Sequence, residues 1–144
     1  MIYTAQTKRA LTLCFAAHRD QTDKSGMPYV FHPFHLAEQM TDEQTTVAAL
    51  LHDVVEDTDY TFEDLAEMGF DAEVLAALRL LTHAEGEPYM DYVARLKGNR
   101  IARAVKLADL AHNSDLSRLD PTQIDEWALK RQEKYQKAIE LLRS

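Results

Sequence analysis

The chain has 144 residues, 46% hydrophobic and 28% charged, which predicts one domain over residues 1–144 with a core that needs no disulfides. A formal net charge of −8 argues against a nucleic-acid-binding surface, which would be basic. The single cysteine, Cys14, excludes a disulfide framework and favours the reducing cytoplasm, and no apolar run predicts a signal peptide or a membrane span.

Helical periodicity runs through nearly the whole chain, and no segment alternates polar and apolar residues as a half-buried strand would. The first predicted helix covers about residues 3–19 and is followed by a loop, residues 21–31, that is rich in turn formers. Pro33 fits the first turn of a short helix ending near Met40. Asp42 can then cap the helix that leads to His52.

Capping and breaking residues divide the second half of the chain into further helices. These are predicted at about residues 61–69, 71–82, 88–97 and 101–116, with a loop over 83–88 and a break at Gly98-Asn99. Asp120 and Pro121 are a cap and a first-turn proline, which predict one long last helix through Leu142. The charged residues of this helix, Arg131 among them, are interpreted as a solvated face. The prediction is an all-α bundle of roughly eight helices.

The most informative segment is residues 48–58, Ala-Ala-Leu-Leu-His-Asp-Val-Val-Glu-Asp-Thr, which contains two pairs of polar residues. His52-Asp53 is followed one helical turn later by Glu56-Asp57, so a continuous helix would place all four groups on one side. The apolar residues before them are expected to be buried, and charged groups there must be paired or bound to metal. The segment therefore indicates a site, although a lone His-Asp pair would be interpreted as a polar helix end.

Two other segments supply further candidate ligands, His32 and Asp109. Together with His52 and Asp53 they form a mixed set of imidazoles and carboxylates. This set suits a divalent first-row ion such as manganese, iron, cobalt or zinc better than it suits calcium.

The helix with Asp109 carries a polar stripe whose members are three and four residues apart. Lys106 has two possible roles, as a ligand of substrate phosphate or as the countercharge of Asp109. Asn113 can contact a sugar hydroxyl or a metal-bound water, or make a cap or turn contact. His112 and His35 are interpreted either as residues that orient a ligand or as satisfied, partly buried histidines.

Four segments, in this order, resemble the HD-domain metal phosphohydrolases, and more closely the hydrolase domain of the RelA/SpoT alarmone enzymes. They are residues 17–30 with Lys24-Ser25-Gly26-Met27-Pro28-Tyr29, then His32-Pro33, residues 49–58, and residues 105–109 with His112-Asn113. The resemblance implies an HD-domain helical bundle. It also implies that a metal, usually Mn²⁺, is held by His32, His52, Asp53 and Asp109. Glu56 and Asp57 would assist the attacking water.

The implied reaction is removal of the 3′-pyrophosphate from guanosine tetra- or pentaphosphate, a small phosphorylated nucleotide. Lys24 and Ser25 match the family and are predicted substrate contacts, but Asp23 stands where the family commonly has an arginine that stacks on guanine. A carboxylate cannot make that stack. Adenine alarmones and NADPH are therefore alternative substrates.

Two other functions are alternatives to alarmone hydrolysis. One is another HD phosphohydrolase activity, on a nucleoside monophosphate or on a 2′- or 3′-phosphate, and the other is a non-catalytic nucleotide-binding module. The intact set of predicted ligands, together with Glu56 and Asp57, argues against the second. Alarmone synthesis is not expected, because 144 residues leave no room for a synthetase domain.

Overall fold

The computed structural model describes all 144 residues and contains nine α-helices, two short 3₁₀ helices and no β-strand. The α-helices are α1 Ala5–His18, α2 Phe31–Glu38, α3 Glu43–Leu51, α4 Val54–Asp57, α5 Phe62–Glu67, α6 Ala72–Leu81, α7 Tyr89–Leu96, α8 Arg100–Asn113 and α9 Glu126–Arg143, and the 3₁₀ helices are Leu116–Arg118 and Pro121–Gln123. The predicted all-α class is confirmed. None of these helices is both long and apolar enough to span a bilayer.

Local capping explains most of the helix boundaries. The Asp42 side chain accepts a hydrogen bond from the Thr45 backbone N–H at 2.8 Å, so it caps α3 as predicted. Thr61 and Asp64 form a reciprocal capping box at the start of α5. Gly69 follows the end of α5 with φ +83°, a left-handed conformation that favours glycine over any residue with a side chain.

The structure differs from the predicted helices at the last helix. The capping box of Asp120 closes only the 3₁₀ turn Pro121–Gln123, and α9 begins at Glu126. Asp125 supplies the cap of α9 by accepting from the Ala128 N–H at 2.9 Å. The prediction of one long helix from Pro121 is therefore wrong, because a second cap, Asp125, five residues after Asp120, starts a new helix.

The predicted continuous helix through residues 48–58 is also wrong. Helix α3 ends at Leu51, and Asp53 leaves helical geometry with φ −110° and ψ 2° before the single turn of α4. Nδ1 of His52 donates a hydrogen bond to the Ala49 carbonyl at 2.7 Å, so the His52 side chain is bonded to the backbone of α3. The Asp53 side chain is held from outside the helix by the Tyr29 hydroxyl.

Helix α3 lies at the centre of the molecule. Every residue from Thr45 to Leu51 is buried, and the helix packs against α1, α2, α6 and α8. One contiguous cluster of 28 buried hydrophobic residues forms the core. The end of α3, the start of α2 and the last turns of α8 therefore meet at one place, where His52, His32 and Asp109 lie.

Candidate functional site

Three of the four predicted metal ligands come together at the junction of α2, α3 and α8. Suitable ligand atoms of His32, His52 and Asp109 all lie within 4.8 Å of one another, and all three residues are buried. Nε2 of His32 is 2.9 Å from Oδ1 of Asp109, and Nε2 of His52 is 3.8 Å from the same oxygen. Two imidazoles and one carboxylate therefore converge on one point, and this set of donors fits a divalent first-row ion.

His52 provides the clearest test of whether a cation fits. Its Nδ1 must carry the proton that is donated to the Ala49 carbonyl, and its buried Nε2 lies 3.1 Å from Oδ2 of Asp53 but makes no hydrogen bond. Burial lowers the pKa of His52, but the carboxylates of Asp53 and Asp109 outweigh burial and raise that pKa to about 9. The electrostatic field that would hold a proton on Nε2 would equally hold a metal cation there.

Asp53 lies at the edge of this centre rather than in it. Its Oδ2 accepts a hydrogen bond from the Tyr29 hydroxyl and is 3.1 Å from Nε2 of His52. Burial raises the pKa of Asp53, but the neighbouring His52 outweighs burial and lowers it to about 2. Asp53 is thus an ionised carboxylate next to the predicted ligand His52, and its own role as a ligand also stays a prediction.

A second layer of contacts orients Asp109. Oδ2 accepts from Lys106 Nζ at 2.9 Å, and Oδ1 accepts from Asn113 Nδ2 at 2.9 Å. Burial raises the pKa of Asp109, but Lys106 and His32 hold it well below its usual range. Lys106 is therefore engaged as the countercharge of Asp109, one of the two roles that the sequence left open for it.

His112 fixes the orientation of His32. The two Nδ1 atoms lie 2.7 Å apart, and burial together with the nearby Arg118 lowers the pKa of His112 to about 4. Nε2 of His32 and Oδ1 of Asp109 lie 2.9 Å apart, so either a proton on Nε2 or a cation shared with Asp109 satisfies both atoms. His35 also stacks on the His112 ring, and the two ring centroids are 4.1 Å apart.

The two predicted catalytic carboxylates line different cavities, because consecutive residues of a helix such as α4 point about 100° apart. Glu56 lines a small cavity of about 50 Å³ whose wall includes His52, Asp53 and Asp109, and its Oε1 accepts from the His83 N–H at 2.8 Å. Asp57 lines a larger cavity instead. Burial, followed by the charges of Asp53 and Glu56, raises the pKa of Asp57.

The larger cavity has a volume of about 540 Å³, within the range of pockets that hold small organic ligands. Its wall contains the predicted substrate contacts Lys24, Ser25 and Asn113, but not Lys106, which lines the small cavity. Tyr29, which is bonded to Asp53, and Asn113, which is bonded to Asp109, also line the larger cavity. These two residues therefore lie between the larger cavity and the candidate metal centre and contact both.

Sequence reasoning missed several residues of the cavity wall. Arg118 and Tyr135 were not singled out, and Arg131 was interpreted as part of a solvated face, but all three line the cavity. Arg131 and Tyr135 are one turn apart on α9, and this spacing is the only signal in the sequence that they share a face. Burial, and then Arg131, lower the pKa of Lys24, so positive charge accumulates on this wall.

Comparison with known proteins defines the class to which this fold and site belong. Residues 10–143 match the HD domain family, so the chain belongs to that family and the predicted membership is confirmed. Within the family it is homologous to the SpoT and MESH1 pyrophosphohydrolases. The zebrafish (Danio rerio) guanosine-3′,5′-bis(diphosphate) 3′-pyrophosphohydrolase MESH1 is 36% identical over 140 residues, which cover 86% of this chain and 76% of that protein.

Longer relatives share only this region. A probable GTP pyrophosphokinase of Mycobacterium leprae is 37% identical over 127 residues, 79% of this chain but 16% of that protein. The bifunctional (p)ppGpp synthase/hydrolase SpoT of Escherichia coli is 32% identical over 120 residues, 74% of this chain and 17% of that protein. A solved structure, described as a metazoan ortholog of SpoT that hydrolyzes ppGpp, superposes on this chain with a TM-score of 0.76 at 29% sequence identity. The superposition covers 100% of this chain and 89% of the chain in that structure.

Proposed function

We propose that this protein is a metal-dependent phosphohydrolase that removes the 3′-pyrophosphate from guanosine tetra- or pentaphosphate or a related alarmone. The observation that carries the proposal is the buried cluster His32, His52 and Asp109, which is joined to a nucleotide-sized cavity by Tyr29 and Asn113. The relatives named above that hydrolyse ppGpp support the choice of substrate.

The metal would be held by His32, His52, Asp53 and Asp109, and Mn²⁺ is the expected ion. When bound, such an ion lowers the pKa of water and offsets the charge of phosphoryl oxygens. The assignment is supported by Nε2 of His52, which is close to Asp53 but makes no hydrogen bond, and by the close approach of His32 to Asp109. Asp53 would complete the set from its position beside His52.

The reaction consumes one water molecule. The bond between the ribose 3′-oxygen and phosphorus breaks, the water oxygen joins the departing pyrophosphate, and the 3′-oxygen gains a proton. Asp57 lines the cavity and has a raised pKa, so it is a better proton acceptor than an ordinary exposed carboxylate. Glu56 is held by the His83 N–H beside the proposed ligands, where it would orient the attacking water.

The substrate carries several negative charges, whereas the chain as a whole has a net charge of −8. Binding therefore depends on local cations, and Lys24 and Arg131 on the cavity wall form no ion pair. We assign them to the phosphates. Asn113 would donate the second hydrogen of its amide to the nucleotide from the same wall, and the Ser25 hydroxyl, which donates to Asp23, would accept a hydrogen bond.

The activity test compares guanosine tetraphosphate, its adenine analogue and NADPH with purified protein and Mn²⁺, and products are separated by anion-exchange chromatography. Release of pyrophosphate from an alarmone is the expected result. Release of orthophosphate from NADPH, with no alarmone turnover, would contradict the proposal and identify a different phosphohydrolase activity.

Two substitutions separate metal binding from catalysis. Asp53→Ala is expected to abolish both retention of the metal and turnover. Glu56→Gln is expected to retain the metal and to lower turnover about a hundredfold, as removal of acid–base assistance commonly does. Metal content is measured by elemental analysis, and Glu126→Gln, a substitution of an exposed glutamate on α9, is the control. Equal loss of metal in the Asp53 and Glu56 variants would show that this division of roles is wrong.

A further inference from the structure

Asp23, the residue that departs from the related loop, shapes that loop. Its Oδ1 accepts three hydrogen bonds, from the Ser25 N–H at 2.9 Å, the Ser25 hydroxyl at 2.6 Å and the Met27 N–H at 3.0 Å. Asp23 therefore fixes the turn that carries Lys24 and Ser25, a common role for aspartate in a loop. An arginine at position 23 could not make these contacts, because its side chain has no acceptor.

The second oxygen of Asp23 holds an arginine from a distant part of the chain. Oδ2 accepts from Nη2 of Arg118 at 3.3 Å, and Nη1 of Arg118 donates to the His112 carbonyl at 2.9 Å. The Arg118 side chain is 24% exposed and lines the cavity. Hydrogen bonds to a guanidinium lie in its plane, so these contacts hold the orientation of that plane and leave its two faces free of hydrogen bonds.

The cations of the cavity wall differ in how their charge is compensated. Arg118 is paired with Asp23, whereas Lys24 and Arg131 form no ion pair. Phosphates are bound best by cations without a competing carboxylate. A paired and planar guanidinium is instead suited to stack on an aromatic ring.

We propose that Arg118 determines specificity by stacking on the nucleobase, so that the planar cation missing at position 23 is supplied from the 3₁₀ helix Leu116–Arg118. The proposal rests on the proposed function only in requiring that the ligand is a nucleotide. Asp23 contributes by holding the guanidinium in place.

The test measures binding of GDP and of inorganic pyrophosphate by titration calorimetry in the presence of Mn²⁺. Arg118→Gln is expected to weaken GDP binding about fivefold, the value of one exposed cation–π contact, and to leave pyrophosphate binding unchanged. Arg100→Gln is the matched control, because Arg100 is also paired with an aspartate, Asp42, at 2.9 Å but lies outside the cavity. An equal loss for GDP and pyrophosphate would overturn the proposal, because Arg118 would then be a phosphate ligand.

A second variant tests whether GDP binding depends on the planar shape of the Arg118 guanidinium or only on its positive charge. Arg118→Lys keeps the charge and removes the planar group, so the proposal expects a loss of GDP affinity close to that of Arg118→Gln. Full GDP affinity in Arg118→Lys would refute stacking. Circular dichroism checks that both variants are folded. These binding measurements are independent of hydrolysis, so GDP binding that depends on Arg118 together with inactivity on alarmones would refute only the proposed function.

Discussion

Replacing Lys106 by Met is expected to destabilise the protein strongly without metal and only weakly with it. The Lys106 ammonium lies 2.9 Å from Oδ2 of Asp109, and their side chains are 13% and 10% exposed. Removing one partner of a buried ion pair leaves the other charge uncompensated. Met retains most of the apolar stem, so the substitution removes the charge with little loss of packing.

The expected loss in the free energy of unfolding without metal is about 3 kcal/mol, the lower end of the range for broken buried pairs. The lower end applies because Oδ1 of Asp109 keeps its contacts with His32 and Asn113, both at 2.9 Å. A bound divalent ion replaces the missing positive charge, so the loss with saturating Mn²⁺ should be about 1 kcal/mol. By the thermodynamic cycle, the difference of about 2 kcal/mol must reappear as roughly 30-fold tighter binding of Mn²⁺ to the variant.

The assay is urea denaturation followed by circular dichroism, with chelator and with Mn²⁺. Lys130→Met is the control, because the exposed pair of Lys130 with Glu126, at 3.2 Å, should contribute less than about 0.5 kcal/mol. The reasoning is refuted if Lys106→Met is equally destabilising in both conditions, because the ion would then not compensate the charge of Asp109. Weaker binding of Mn²⁺ to the variant would refute it independently.

Two further predictions concern capping and burial. Asp42→Ala should lower the free energy of unfolding at neutral pH by about 1 kcal/mol, the usual value of an N-cap, as measured by urea denaturation. Burial raises the pKa of Asp42, but hydrogen bonds from Thr45 outweigh burial and lower it. The difference from wild type should therefore shrink as the pH falls below the unfolded value of about 3.9 and disappear as the pH falls through the lower pKa of the folded state. Burial raises the pKa of the Cys14 thiol to about 12, so Ellman's reagent should label Cys14 only after unfolding, and rapid labelling of the native protein would contradict this.

Most helix boundaries could be predicted because their signals are local. The caps at Asp42 and Thr61 and the left-handed Gly69 lie within a few residues of the helix ends that they define. The start of α9 was mispredicted because two capping sequences, at Asp120 and at Asp125, compete within one short segment. Local patterns cannot decide between them, since the choice depends on how α9 packs against α7 and α8.

The candidate site was also only partly predictable, because part of it depends on how distant segments of the chain pack together. His32, His52 and Asp109 were grouped from their residue types and from the resemblance, and the structure brings them together. The cavity wall was harder to predict, because Arg118 and Arg131 reach it from segments that follow the last recognisable motif. In sequence alone, an arginine on a helix with many charges is indistinguishable from a solvated one.

The break between α3 and α4 concerns both the helix boundaries and the candidate site. If the helix continued through Asp53, its side chain would follow the helical register toward Asp57 and away from the Tyr29 hydroxyl. The observed turn instead places Asp53 beside His52, with Glu56 on the small cavity and Asp57 on the large one. Glu56 and Asp57 both follow the interruption, and as consecutive residues of α4 they point about 100° apart, so one lies on the side of the proposed metal centre and the other on the side of the proposed substrate cavity. The periodic pattern does not predict the position of Asp53, because that position depends on a contact with Tyr29, 24 residues away.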